Sequence, residues 1–315
     1  MAIIADDIAI ADRIEGLKQP FETDRLYGQQ AAEADFIRAA NSNRLHHAWL
    51  LSGPRGIGKA SFAFRVARFF LEAAGDNQTL SAQALEQAND RQSATFQRIA
   101  NGAHPNLLHL RIPYDSAAKK FRTQLTVDEM RRTVSFFGST AGGSGWRVAI
   151  VDRANDMNTQ AANALLKILE EPPARTLFFL ISDQPNRLLP TLRSRCRTLS
   201  FGRLEVAALS LALEQASPGV SLETALLRDY EEIIGGSVRR AFQFAREGIP
   251  ELHQAFQTLL GQAPNYDMAL LHRFADVISA RGAEEKFGFF VDFMETDLTH
   301  KVHSGAPKPI LVSYA

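Results

Sequence analysis

His47-Ala48-Trp49-Leu50-Leu51-Ser52 runs directly into Gly53-Pro54-Arg55-Gly56-Ile57-Gly58-Lys59-Ala60-Ser61. The first six residues form a short apolar run, the pattern of a buried strand. The next seven have the composition and spacing of a phosphate-binding loop. Its glycines let backbone N–H groups turn inward, and Lys59 is placed to reach β- and γ-phosphates. From Ser61 to Leu71 apolar residues recur at helical spacing. Strand, loop and helix in that order set the positive end of a helix dipole behind the loop, as an anion site requires. Gly53, Gly56, Gly58, Lys59, Ala60 and Ser61 are therefore the candidate nucleotide contacts. The competing reading is a glycine-rich turn that binds nothing, and both flanks argue against it.

The loop lacks one expected group. A Ser or Thr hydroxyl normally follows the lysine and ligates magnesium, but this chain has Ala60. Ser61 carries a hydroxyl one residue later, rotated roughly 100° around a helix. Magnesium binding stays open on these residues, and ATP is expected to bind weakly or to meet a vestigial site.

The second half of the pattern lies between Trp146 and Phe201. Val148-Ala149-Ile150-Val151 is an apolar strand ending in Asp152, and an acid there can hold magnesium directly or through water. Hydrolysing ATPases usually follow it with a glutamate that orients the attacking water. Here the position is Arg153, a cation that cannot act as a base. The spacing predicts a helix from Thr159 to Glu171 with an apolar stripe of Ala161, Leu165, Ile168 and Leu169, ended by Pro172-Pro173. Leu177–Ile181 and Arg197–Phe201 read as two more strands.

The remaining pattern completes an alternation. Gln29–Ala40 has helical spacing. Gly75–Asn101, rich in Ala, Gln and Asn, predicts an excursion or loosely packed helices. Leu107–Arg111 reads as a strand. Thr126 with Glu129 suggests a capping box that opens a helix with Met130, Val134 and Phe137 on one face. Strands alternating with helices imply a parallel sheet covered on both faces. After Phe201 strand signals stop. Leu204–Gly248 predicts helices broken at Pro218-Gly219 and Gly235-Gly236, and Glu251–Gly261, Met268–Ala280 and Glu284–His303 predict three more before the break at Ser304–Pro309. The expected organisation is an α/β nucleotide-binding domain over 1–203, a helical domain over 204–248 and a second helical domain over 249–315.

The 315 residues are 45% hydrophobic, ample for more than one core, and Lys+Arg balances Asp+Glu at 35 each. Zero net charge argues against a protein that mainly coats nucleic acid. One cysteine, Cys196, excludes an internal disulfide and fits a reducing compartment. No stretch is apolar for long enough to span a bilayer, and Met1–Asp7 lacks a signal-peptide pattern. A cytoplasmic protein with no membrane partner is expected. Lys119-Lys120-Phe121-Arg122 and Arg131-Arg132 are the notable basic clusters. They read as solvated charge first and as a DNA-backbone contact second.

Ala164-Leu165-Leu166-Lys167, Leu169-Glu170-Glu171-Pro172-Pro173 and Ser194-Arg195-Cys196, joined to the loop, resemble the AAA+ clamp-loader subunits of bacterial DNA polymerase III, most of all their δ′ branch. The resemblance covers nearly the whole chain and is strongest over Gly28–Leu71 and Trp146–Phe201. It implies an AAA+ P-loop domain, a helical lid and a C-terminal helical collar. It implies a stator subunit of a heteropentamer that loads a sliding clamp onto primed DNA. The partners would be γ/τ and δ subunits, with the clamp and primer-template DNA met through the complex. Turnover by this chain itself is not expected. The same resemblance makes Arg195 an arginine finger acting in trans, against a local ion pair as the plain alternative. It aligns Ser182 with a first sensor, although Asp183 beside it would repel a phosphate. It aligns Arg239 with a second sensor, against a helix start capped by Ser237 with Arg239 and Arg240 solvated. Family members often bind zinc through four cysteines after the loop helix. Gly75–Pro105 holds none, so no zinc site is expected, and His104 and His109 read as ordinary polar residues. An active γ/τ-like ATPase or another DNA-processing AAA+ ATPase stands as the alternative.

Overall fold

A computed structural model describes residues 13–42, 45–72, 79–138 and 145–303. The expectations for Met1–Asp7 and for the break at Ser304–Pro309 lie outside the described residues. The chain divides into two compact units, residues 1–204 and 205–315.

The first unit runs α1 (Gln30–Ala40), β1 (Ala48–Ser52), α2 (Lys59–Glu72), α3 (Ala82–Ala88), α4 (Ala94–Ala100), β2 (Leu107–Leu110), the hairpin β3 (Tyr114–Asp115) and β4 (Lys120–Phe121), α5 (Val127–Gly138), β5 (Arg147–Val151), α6 (Thr159–Glu170), β6 (Thr176–Ser182), α7 (Pro190–Arg193) and β7 (Arg197–Ser200). Five strands form one sheet in the order β2-β5-β6-β1-β7, and every neighbouring pair is parallel. Side chains alternate between sheet faces along a strand. Trp49, Leu51, Ile150, Phe179 and Ile181 pack with α1, α2, α3 and α4 residues on one face. Leu50, Ala149, Val151, Phe178 and Leu180 pack with α5 and α6 residues on the other. Burial on both faces explains why β1, β5 and β6 read as continuous apolar runs rather than alternating ones.

After β1 the chain leaves for the far edge at β2 and returns through β5 and β6 to β1's flank, and β7 closes the other side. Reversals of this kind leave a crevice at the carboxyl ends of the strands, where ligands bind in open α/β sheets. The phosphate loop lies there because it follows β1 directly.

Two expectations need correction. Val134 does not share the buried face of α5: it is 55% exposed, while Met130, Thr133 and Phe137 are buried. The inward stripe follows the i, i+3, i+7 positions, and Val134 falls on its flank. The segment after α2 is not loose either. Leu85 and Ile99 are buried against α2. Arg68 of α2, fully buried, donates to the carbonyls of Thr23 and Phe21 and, at 2.6 Å, to Asn89 Oδ1, with its guanidinium 4.1 Å from the Phe96 ring centre. Burial pushes its pKa down to about 9. This arrangement fastens residues 21–23 and the α3–α4 segment onto one helix through hydrogen bonds, which leave no periodic apolar signal.

The second unit is helical: α8 (Val206–Ala216), α9 (Thr224–Asp229), α10 (Glu231–Ile234), α11 (Val238–Arg246), α12 (Ile249–Gly261), α13 (Met268–Ser279) and α14 (Glu284–His303). Gly235 (φ 61°) stops α10 in the left-handed conformation that glycine adopts without steric cost. Helix α11 packs on α12 and α10 on α14, so the segments on either side of Gly248 form one compact body.

Candidate nucleotide site and the Arg195 corner

The loop between β1 and α2 turns as its glycines require. Gly53, Gly56 and Gly58 all have positive φ (147°, 73° and 101°). A Cβ on Gly53 would stand 2.4 Å from the Phe201 carbonyl oxygen, so only glycine fits. The loop is tied to the sheet from behind. The Phe201 N–H donates to Ser52 O at 2.8 Å. Gln29, buried just before α1, donates to Ile57 O at 3.0 Å and Gly202 O at 2.8 Å. Nothing in the sequence pattern singled out Gln29, because a lone glutamine has no signature.

The charged groups of this site face one another. Lys59 begins α2 and is 5% exposed. Its Nζ donates to Gly53 O at 2.6 Å and to Pro54 O. Burial lowers its pKa to about 8, against the pull of Asp183 and Asp152. Asp152 accepts the Arg153 N–H at 3.0 Å, and its Oδ2 lies 3.9 Å from His109 Nε2. Burial would raise the Asp152 pKa, but His109, the Arg153 N–H and Lys59 together hold it below the usual carboxylate range. His109 is the penultimate residue of β2, the strand beside β5, with its ring edge-on to Phe21 and Phe64. Sequence reading takes it as an ordinary polar residue, since its partnership with Asp152 exists only through strand pairing. Arg153, in the left-handed conformation (φ 55°), reaches Asp156 at 2.5 Å. The Ser182 hydroxyl, buried at the end of β6, donates to Asn155 Oδ1 at 3.1 Å and accepts the Gln184 N–H at the same distance. Asp183 lies 3.9 Å from Arg55 of the loop.

These residues do not fit a magnesium nucleotide well. The loop backbone has the right conformation, but Lys59 serves two of its own carbonyls. Asp152 faces a histidine, Ala60 offers no ligand, and Asp183 adds a negative charge beside the loop. Among the described residues no group of three or more His, Cys, Asp or Glu side chains could hold a metal ion.

Arg195 stands elsewhere in the same unit, in the turn between α7 and β7. Its NH1 donates to Thr191 O at 3.1 Å and its NH2 lies 2.7 Å from Glu170 Oε1. The side chain is 36% exposed, and Glu170, at the end of α6, is 50% exposed. The local ion pair is thus present on a guanidinium that still reaches solvent. Cys196 is half-buried, and burial pushes its thiol up to about 12, so it carries little thiolate.

The other candidate positions sort differently. Ser237 caps α11, accepting the Arg240 N–H at 3.3 Å. Arg240 is half-buried and engaged within the unit: it donates to Ile233 O at 2.9 Å, pairs with Asp292 and lies over Phe289. Arg239 is half-buried beside it in the second unit. Arg131 and Arg132 pair with Asp128 and Glu129 of their own helix, and Arg122 with Asp115 across the hairpin, while Lys119 and Lys120 are exposed.

Residues 28–205 match the model of the DNA polymerase III, delta subunit, family. The chain is 36% identical over 205 residues to a DNA polymerase III subunit delta′ of Pseudomonas aeruginosa, covering 65% of this chain and 57% of that protein. It is 32% identical over 224 residues to the delta′ subunit of Bacillus subtilis, covering 70% and 63%. A gamma/tau subunit of Mycobacterium tuberculosis is 29% identical over 277 residues, 86% of this chain and 45% of that one. The chain therefore spans less than two thirds of the length of these relatives. Among the described residues no helix is long and apolar enough to cross a membrane.

Proposed function

Because this chain belongs to the DNA polymerase III delta subunit family, we propose that it is a δ′-like, non-hydrolysing subunit of a bacterial clamp loader. It assembles in the cytoplasm with γ/τ and δ subunits and helps to place a sliding clamp on primed DNA. The observation that carries the reading is the state of its own phosphate loop, where Lys59 donates to two loop carbonyls and Asp152 faces His109, beside an Arg195 whose side chain is 36% exposed.

In this reading Arg195 enters the ATP site of a neighbouring subunit. A planar guanidinium pairs with two oxygens of the transferred phosphoryl group and offsets its developing charge. This chain's own site does not turn over. Arg153 replaces the residue that orients water, and Ala60 removes a metal ligand. Groups of this kind are each worth ~10²–10⁴-fold. Arg239 and Ser182 then survive as parts of the fold rather than as sensors.

The relationship to gamma/tau subunits favours a second reading, an active ATPase. Steady-state phosphate release by the isolated chain separates the two. We expect background rates with or without magnesium, unchanged in Lys59→Ala. Magnesium-dependent turnover that disappears in Lys59→Ala would establish the second reading in place of the first.

A further inference from the structure

We infer that Glu170 is the positioning residue for Arg195, holding the guanidinium at the corner from which it meets a neighbour's nucleotide. The inference rests on the trans-acting reading of Arg195. It gives the Leu169-Glu170-Glu171-Pro172-Pro173 segment a task that the proposed function leaves unassigned.

Glu170 is the last residue of α6, and Glu171 and Pro172-Pro173 end the helix there. The end of α6 is fixed to the sheet from below. His47, just before β1, has its Nε2 3.0 Å from the Leu169 carbonyl. A carbonyl only accepts, so Nε2 carries the proton. The residue bonded to His47 thus immediately precedes the one that reaches Arg195. On the other side, Arg195 donates from NH1 to Thr191 O in α7. Glu170 and Thr191 therefore grip the two terminal nitrogens from two different elements.

The grip leaves the group able to act. A guanidinium has five N–H donors, more than the two contacts use, and the side chain is 36% exposed. An arginine side chain loses much rotamer freedom when fixed. Fixing it before a partner arrives removes part of that loss from the encounter. The exposed carboxylate is a weak rival for the arginine, since surface ion pairs are worth little in water. A phosphoryl group gathering charge in a closed interface is a stronger partner.

The test uses the reconstituted loader with its ATPase subunits, clamp and primed DNA. Single-turnover ATP hydrolysis is followed for the parent, Arg195→Ala, Glu170→Gln, Glu170→Asp and Arg195→Ala/Glu170→Gln. Arg195→Ala slows one phase. We expect Glu170→Gln to slow that same phase about two- to fivefold, with complex size and KM for ATP unchanged. Glu170→Asp should recover part of the loss, and the double variant should be no slower than Arg195→Ala alone. A purely structural role would add its loss to that of Arg195→Ala. Normal kinetics in Glu170→Gln, or additive losses in the double variant, would overturn the inference and leave the role of Arg195 standing. Normal kinetics in Arg195→Ala would overturn both.

Discussion

The phosphate loop and the Arg195 corner lie in one unit of the chain and use the same kinds of residue to opposite ends. At the loop, charges turn inward: Lys59 to two carbonyls, Asp152 toward His109, Arg153 to Asp156, Asp183 toward Arg55. At the corner, Glu170 and the Thr191 carbonyl hold Arg195, whose side chain is 36% exposed. Where a charge is already paired within the fold, as at Asp152 and Arg153, an incoming phosphate or metal must first displace that partner, whereas burial leaves the Lys59 ammonium less stable than in water. A charged group held loosely at the surface gives up little when a partner arrives. On the proposed reading, the difference separates a site kept for architecture from one available to another molecule.

The contrast breaks most visibly in the assembled loader. Arg195→Ala should slow hydrolysis at the site it faces by ~10³-fold, whereas Lys59→Met should change loader ATPase by less than about twofold. DNA- and clamp-stimulated phosphate release measures both. A large effect of Lys59→Met would show that the loop acts on nucleotide after all.

A second measurement asks whether the loop is structural. Gly53→Ala meets both a positive φ and the Phe201 carbonyl at 2.4 Å. It should destabilise the isolated chain by about 3 kcal/mol or more, read as a lower urea midpoint with an unchanged slope. A variant as stable as the parent would mean that the loop and the end of β7 move apart freely.

The smallest effect sharpens the role of Lys59. Its pKa in the folded chain is about 8, against 10.5 as its ordinary value. Between those two values the unfolded chain binds the proton and the folded chain does not, so stability rises with pH across that window. The gain is no more than about 3 kcal/mol. Denaturant titrations from pH 7 to 10.5 should show the rise in the parent and a flatter profile in Lys59→Met. Parallel profiles would mean that Lys59 is not buried in solution.

Much of the fold was legible in the sequence. Buried parallel strands are continuous apolar runs, so β1, β5 and β6 stood out, and the glycine loop between β1 and α2 fixed their class. Helix α6 was readable because an apolar stripe runs along it and Pro172-Pro173 follow it. Helix α5 was half legible, since periodicity gave the helix but not whether position 133 or 134 faces inward. Segment 79–101 was the least legible, since Arg68 and Asn89 hold it by hydrogen bonds.

For the site, the sequence by itself determined which chemical groups exist and which are missing. Ala60, Arg153 and the absence of further cysteines are facts of composition and spacing. The tertiary structure decided what those groups face. Asp152 meets His109 because β2 and β5 pair in parallel register. Lys59 meets Gly53 and Pro54 because the loop curls over its own helix end. Arg195 meets Glu170 because α6 ends where the turn after α7 passes. Each is a contact between residues distant in sequence or turned by a tight loop, and its energy depends on separation and burial, which linear spacing does not encode.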